Sequence, residues 1–337
     1  MKTASYWHPE SAGAVRCDLC PHRCGIAPGK TGICGVRENR AGTLAALTYF
    51  VTSSMALDPI EKKPLYHFHP GSTSFSFGTF GCTFSCRCCQ NFTISKEFSR
   101  REFAQQNLTA VEAIAAVRKQ SSDAAITQFS GVSYTYNEPT LWIETILELA
   151  PQVRALGLTN VMVTNGFINP EPLRDLLQYV DAFNIDLKAF DDEFYKTYCG
   201  GRLAPVLAAI KQAAAGAHVE LTTLVIPTLN DSDRHFTELR DWIANEVGPR
   251  TPVHLSRYFP TYKLALPPTP EETLLRARDI LAQRLAYVYL GNIGAEQDTV
   301  CAGCGTLVIK RRGYSARRVG LNERGQCSHC GAAVAVC

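Results

Sequence analysis

The sequence predicts an α/β fold: a partial (β/α)6-type or near-complete (β/α) barrel of parallel strands, preceded by a cysteine-rich module and followed by a zinc-ribbon-like one. Three observations predict it. Through the middle of the 337-residue chain, short β-branched and aromatic runs alternate with helical patterns, as in βαβ units. Fourteen cysteines fall into three tight groups, leaving only Cys199 apart. Finally, Asn137-Glu138-Pro139, Thr164-Asn165-Gly166 and Asp186-Leu187-Lys188 stand where strands should end, the end that carries chemistry in such sheets.

Residues 1–70 read as a loop-rich module, with Cys17, Cys20, Cys24 and Cys34 set among glycines and prolines. Residues 71–294 read as the barrel. Its strands are expected at 74–80, 131–136, 160–164, 182–187, 219–226, 252–259 and 286–291. Helices are expected at 110–119, 141–156, from Asn169-Pro170 onward, and at 205–215, 233–247 and 270–285, from apolar residues at three- and four-residue intervals. Residues 295–337 read as a short Cys- and Gly-rich module.

Composition excludes several classes. A net charge of +3 is too small for a nucleic-acid surface, and Lys310-Arg311-Arg312 with Arg317 and Arg318 reads as a solvated face. The N-terminal residues lack an apolar signal core. The uncharged stretch 41–57 is shorter than a membrane span and is interrupted by Gly, Thr and Ser, which suits a β-hairpin or a buried strand. A cytoplasmic protein without membrane or nucleic-acid partners is therefore expected. In a reducing compartment, clustered cysteines point to metal rather than disulfides.

The three cysteine groups differ in pattern. After the first barrel strand, Cys82, Cys86 and Cys89 form C-x3-C-x2-C. Three thiolates on one loop can hold three irons of a cubane cluster, leaving the fourth open for chemistry. Cys88 falls outside that spacing. Near the C-terminus, Cys301/Cys304 and Cys327/Cys330 are two C-x2-C knuckles separated by 22 residues, the pattern of a four-cysteine zinc site, with a rubredoxin-type iron site as the alternative. His329 lies inside the second knuckle and Cys337 is left over. The N-terminal set, C-x2-C-x3-C-x9-C, suits zinc or a second iron–sulfur cluster equally.

C-x3-C-x2-C after a first barrel strand resembles the radical S-adenosylmethionine (SAM) superfamily. CDLCPHRCGIAPGKTGICGVREN, DPIEKKPLYHFHPG, SYTYNEPT and NIDLKAF narrow the resemblance to the radical SAM member of the AmmeMemoRadiSam system, a group similar to the pyruvate formate-lyase activating enzymes. The resemblance implies a [4Fe–4S] cluster on Cys82, Cys86 and Cys89 with SAM on its open iron. It also implies reductive cleavage of SAM to a 5′-deoxyadenosyl radical, and a reductant such as flavodoxin or ferredoxin.

Asn137 and Glu138 would then accept from the SAM amino group, although they also suit a helix N-cap and first-turn acid before Leu141. Thr164 and Asn165 would meet the ribose or amino group. Asp186 and Lys188 end the fourth strand, and Lys188 would hold the SAM carboxylate or a substrate acid. His254 would face the cofactor, with Arg257 on the opposite side of an unbroken strand. Cys199 is either a hydrogen-atom donor or an inert buried thiol. The substrate, small molecule or protein, stays open. A glycyl-radical activase acting on a partner protein is one alternative. A non-catalytic iron–sulfur electron carrier is another, and it has no need of the motifs at the strand ends.

Overall fold

The computed structural model describes residues 2–105, 107–294, 296–334 and 336, so Cys337 lies outside the described residues. Its largest element is one eight-stranded sheet. Seven strands run parallel and are ordered in space as in sequence: Thr73–Gly78, Phe129–Tyr134, Thr159–Thr164, Ala182–Asp186, His218–Val225, Val253–Arg257 and Val288–Gly291. The sheet is an open, partial barrel of the expected class.

Each crossover carries a helix, as parallel pairing requires: Ala110–Ser121, Ile143–Ala155, Pro170–Leu176, Leu203–Ala214, Asp233–Glu246 and Glu271–Leu281. Their spacing is what buries one stripe of each. Ile146, Leu149 and Val153 go inward on the second helix, and Val206, Ile210 and Ala213 on the fourth. The first helix starts where Thr109 and Glu112 form a reciprocal capping box.

Two differences from expectation have local causes. The first parallel strand stops at Gly78 rather than residue 80, because the Thr79 amide leaves the ladder to donate to Asn137 Oδ1 at 3.1 Å. The second runs over Phe129–Tyr134 rather than 131–136, and just beyond it Tyr136 turns to φ +72°. A third difference concerns the boundary at residue 70. Ser54–Pro59, inside the expected N-terminal module, pairs antiparallel with Thr73–Gly78 along its whole length, so the large sheet begins at Ser54. On this edge strand the side chains alternate, with Met55 and Leu57 outward, as an antiparallel edge permits. Of the two forms expected for the uncharged stretch 41–57, the hairpin is present, whereas its last residues enter a half-exposed edge strand rather than a buried one. Thr43–Ala46 forms that hairpin with Arg37–Arg40.

The C-terminal module is a three-stranded antiparallel sheet of Thr299–Val300, Leu307–Arg312 and Ser315–Arg318. Its core, with Val308, Ile309 and Val334, is continuous with Tyr287 and Tyr289 at the seventh parallel strand. The basic run does not form one solvated face. Strand alternation turns Arg311 inward, where it donates to Tyr66 O at 2.6 Å and Thr299 Oγ1 at 2.7 Å and lies 4.3 Å from the Tyr66 ring centroid. Lys310, Arg312, Arg317 and Arg318 stay exposed. Among the described residues, no helix is long and apolar enough to cross a membrane.

Candidate active site

The loop after the first parallel strand begins at Gly81, whose φ of +88° only glycine adopts without strain. A β-carbon there would also lie 2.8 Å from Cys34 O. The loop carries Cys82, Cys86, Cys88 and Cys89 to the wall of a cavity of about 590 Å³ at the C-terminal ends of the strands. Donors meet the first sulfur. The Phe84 amide is 3.4 Å from Cys82 Sγ, and Asn165 Nδ2 is 3.6 Å away. A hydrogen bond with the Cys199 thiol draws the Cys86 thiol down to about 7, favouring the thiolate that ligates metal.

Of the residues expected around SAM, six line this cavity: Asn137, Glu138, Thr164, Asn165, Asp186 and Lys188. Five of them are already bonded among themselves, Glu138 to Thr164 and Asn165, and Lys188 to Asp186. Glu138 is buried. Its Oε1 accepts from Thr164 Oγ1 at 2.7 Å and from Thr140 N at 3.0 Å, and its Oε2 accepts from Asn165 N at 2.9 Å. The helix-cap role and the cavity position therefore coexist in one carboxylate. Burial pushes its pKa up against the pull of these donors. Asn137 donates to Gly81 O at 2.8 Å and accepts from Thr79 N, fixing both ends of the turn into the cysteine loop. Lys188 Nζ is 2.8 Å from Asp186 Oδ2. Burial opposes its charge, but Asp186 and then Cys86 outweigh it and hold the ammonium well above its ordinary pKa.

Two expected residues lie elsewhere. His254 sits beneath the cavity, its Nε2 2.7 Å from Glu220 Oε2 and its ring 4.7 Å from that of Tyr66. Ser256, two residues further along the same face of the strand, is the one that reaches the cavity. Cys199 is buried behind the cysteine loop, which it supports through Ser85 N donating to Cys199 O at 2.8 Å. It faces Cys86 rather than the open space. Arg257 turns away to Thr269 O and Glu271.

One wall was missed by reasoning from sequence. Lys62, Lys63 and Tyr136 line the cavity and converge on Asp58. Lys63 Nζ and Tyr136 Oη each lie 2.6 Å from Asp58 Oδ2, and Lys62 Nζ lies 2.8 Å from Oδ1. Burial alone would raise the Asp58 pKa, but these donors overcome it and hold the carboxyl well below its usual range. The available signal was four charges in DPIEKK (Asp58, Glu61, Lys62 and Lys63) next to a strand; assigning that segment to a separate module hid it.

Three thiols on one loop, amide donors at a sulfur, and polar strand ends around a cavity of cofactor size suit a site-differentiated iron–sulfur cluster with a small polar cofactor. Fold and site together define the radical SAM class. The chain belongs to the radical SAM superfamily. Residues 77–241 match that superfamily, and an uncharacterized protein of Methanocaldococcus jannaschii is 40% identical over 337 residues, spanning 98% of each chain. The (2S)-3-sulfopropanediol dehydratase activating enzyme of Klebsiella oxytoca is 28% identical over 119 residues, 35% of this chain and 38% of that one. The structure of Streptococcus suis SuiB bound to S-adenosylmethionine shares the fold at a TM-score of 0.50 and 17% identity, covering 70% of this chain and 53% of that one.

Proposed function

We propose that this chain holds a [4Fe–4S] cluster on Cys82, Cys86 and Cys89, binds SAM at the strand ends, and abstracts hydrogen from a substrate in the same cavity. One observation carries the reading: the cysteine loop and the polar ends of the second, third and fourth parallel strands line one cavity. When bound, cluster and SAM supply reductive carbon–sulfur cleavage and a 5′-deoxyadenosyl radical. Asn137 fixes the loop, and Glu138 locks the second strand end to the third while offering its remaining lone-pair capacity to an ammonium. Lys188, charged and directed by Asp186, meets a carboxylate of cofactor or substrate. The Lys62–Lys63–Tyr136 wall is read as the substrate side, where a cationic surface suits an anionic group. A reductant of the flavodoxin or ferredoxin class supplies the electron.

Protein isolated without oxygen and then reduced should convert SAM to 5′-deoxyadenosine. Cys82→Ala, Cys86→Ala or Cys89→Ala should abolish that product. If Cys88→Ala abolishes it while Cys89→Ala does not, the ligand assignment fails.

The C-terminal four cysteines we read as a zinc site. Cys301 and Cys330 sulfurs are 3.6 Å apart, and those of Cys304 and Cys327 are 3.7 Å apart. A tetrahedral zinc with bonds of about 2.3 Å needs sulfurs roughly 3.8 Å apart. Zinc should survive oxidative loss of the iron–sulfur centre, and Cys301→Ser should release it and loosen the module.

A further inference from the structure

The N-terminal cysteines are left without a role in this reading, and their setting differs from that of the ribbon. Among the described residues, the ribbon cysteines form the only set of three or more His, Cys, Asp or Glu donors whose ligand atoms all lie within 4.8 Å of one another. Cys17, Cys20, Cys24 and Cys34 line one pocket, yet no three of them meet that limit. Neither do the loop cysteines 82, 86 and 89. A single zinc draws its sulfurs to roughly 3.8 Å. A cubane places irons and bridging sulfides between its thiolates and keeps them farther apart. In neither the N-terminal set nor the cluster loop do three sulfurs stand as close together as in the ribbon.

The pocket is otherwise built for an anionic, weakly hydrated group. Leu19, Ile26 and Leu141 line it. Backbone amides of Leu19, His22 and Val36 point at the sulfurs of Cys17, Cys20 and Cys34. The guanidinium of Arg37, 1% exposed, also lines the pocket; it is ion-paired with buried Glu144 and donates to Ser5 O at 2.8 Å, which leaves only its Nε, buried without a hydrogen-bond partner, toward the pocket's sulfurs.

The pocket also adjoins the cluster loop. Thr83 lines it, while its neighbour Cys82 lines the large cavity. A ring nitrogen of His22 lies 2.8 Å from Thr83 O. Lys96 Nζ donates to Cys82 O at 2.9 Å and to Ile33 O at 3.4 Å, tying the two cysteine segments together.

We propose that Cys17, Cys20, Cys24 and Cys34 hold a second [4Fe–4S] cluster, ligated entirely by protein, which relays single electrons to the site on Cys82, Cys86 and Cys89. Each relay step oxidises a protein reductant of the flavodoxin or ferredoxin class by one electron. The N-terminal cluster is reduced from its 2+ to its 1+ state and then reoxidised as the electron moves on; no proton moves and no bond forms. The relay rests on the radical SAM reading, whereas the cluster assignment does not.

The test uses the full chain reconstituted anaerobically with iron and sulfide. The triple variant Cys82→Ala/Cys86→Ala/Cys89→Ala should keep about four irons per chain with a [4Fe–4S] Mössbauer spectrum. Adding Cys20→Ala should remove them. A triple variant that is folded by circular dichroism and holds no iron, or a second zinc in place of it, overturns the assignment. That result is independent of whether wild-type protein cleaves SAM. For the relay, Cys24→Ser should lose flavodoxin-driven 5′-deoxyadenosine formation while keeping dithionite-driven formation. Unchanged flavodoxin-driven yield, or equal loss with both reductants, overturns the relay.

Discussion

The two ends of the same sheet bury similar polar groups and use them differently. At the floor, Glu220 accepts from the amides of Tyr66 and His67 at 3.0 and 2.7 Å and from the imidazoles of His218 and His254 at 3.0 and 2.7 Å. His67 continues the network to Tyr289 Oη at 2.6 Å and Val334 O at 3.2 Å, joining barrel and ribbon. At the mouth, Glu138 is hydrogen-bonded to Thr140, Thr164 and Asn165 and Lys188 is ion-paired with Asp186, but both border a cavity of about 590 Å³. A buried charge satisfied from every side stabilises the junction it sits in. One that borders open space also retains capacity for a ligand.

Changing the floor carboxylate is expected to have the largest effect. Glu220→Ala should cost about 3–5 kcal/mol in urea unfolding, because two imidazoles and two amides lose a buried acceptor. The SAM affinity of the folded fraction should not change; a parallel loss of affinity would break the distinction between the ends. At the mouth, Glu138→Ala should cost about 2 kcal/mol in stability by orphaning the donors of Thr140, Thr164 and Asn165. Unlike the floor variant, it should also weaken SAM binding, and normal SAM affinity would remove the second strand end from the site.

Lys188→Ala should lower affinity for its partner roughly tenfold, with little change in stability. If SAM affinity and uncoupled cleavage both fall, the partner is the cofactor carboxylate. Uncoupled cleavage that persists without product assigns it to substrate.

The smallest effect concerns pH. Burial pushes the Glu61 carboxyl from 4.5 up to about 7, against one hydrogen bond from Gly71 N at 2.8 Å. The folded state then binds this proton more tightly than the unfolded state does. Stability should therefore fall as pH rises from about 4.5 to about 7, with no contribution below that window. Glu61→Gln should flatten this slope in urea midpoints compared at pH 5 and 8. An unchanged slope would assign the pH dependence to other groups.

Most of the barrel was legible because alternating helix and strand periods are local signals. The cysteine loop was legible because the three cysteines of its C-x3-C-x2-C pattern lie within eight residues. The Lys62–Lys63–Asp58 wall was not, because its membership depends on an antiparallel strand pairing that brings Asp58 opposite Ser74. Arg311 was misread because a run of like charges does not show that every second residue of an edge hairpin turns toward Tyr66.

By itself the sequence determined the alternation of strands and helices, the C-x3-C-x2-C loop and the polar residues that end the second, third and fourth strands. Tertiary structure alone decided height along the barrel and occupancy of each polar group. The period of two in a strand says which face His254 and Ser256 share, but two residues are a rise of roughly 7 Å, enough to separate floor from cavity. Only packing against Glu220, Tyr66 and Tyr289 sets which side of that division His254 falls on. The same holds for Cys199. Its sequence position after the fourth strand is compatible with the cavity, and the pairing of Ser85 with its carbonyl puts it behind the loop.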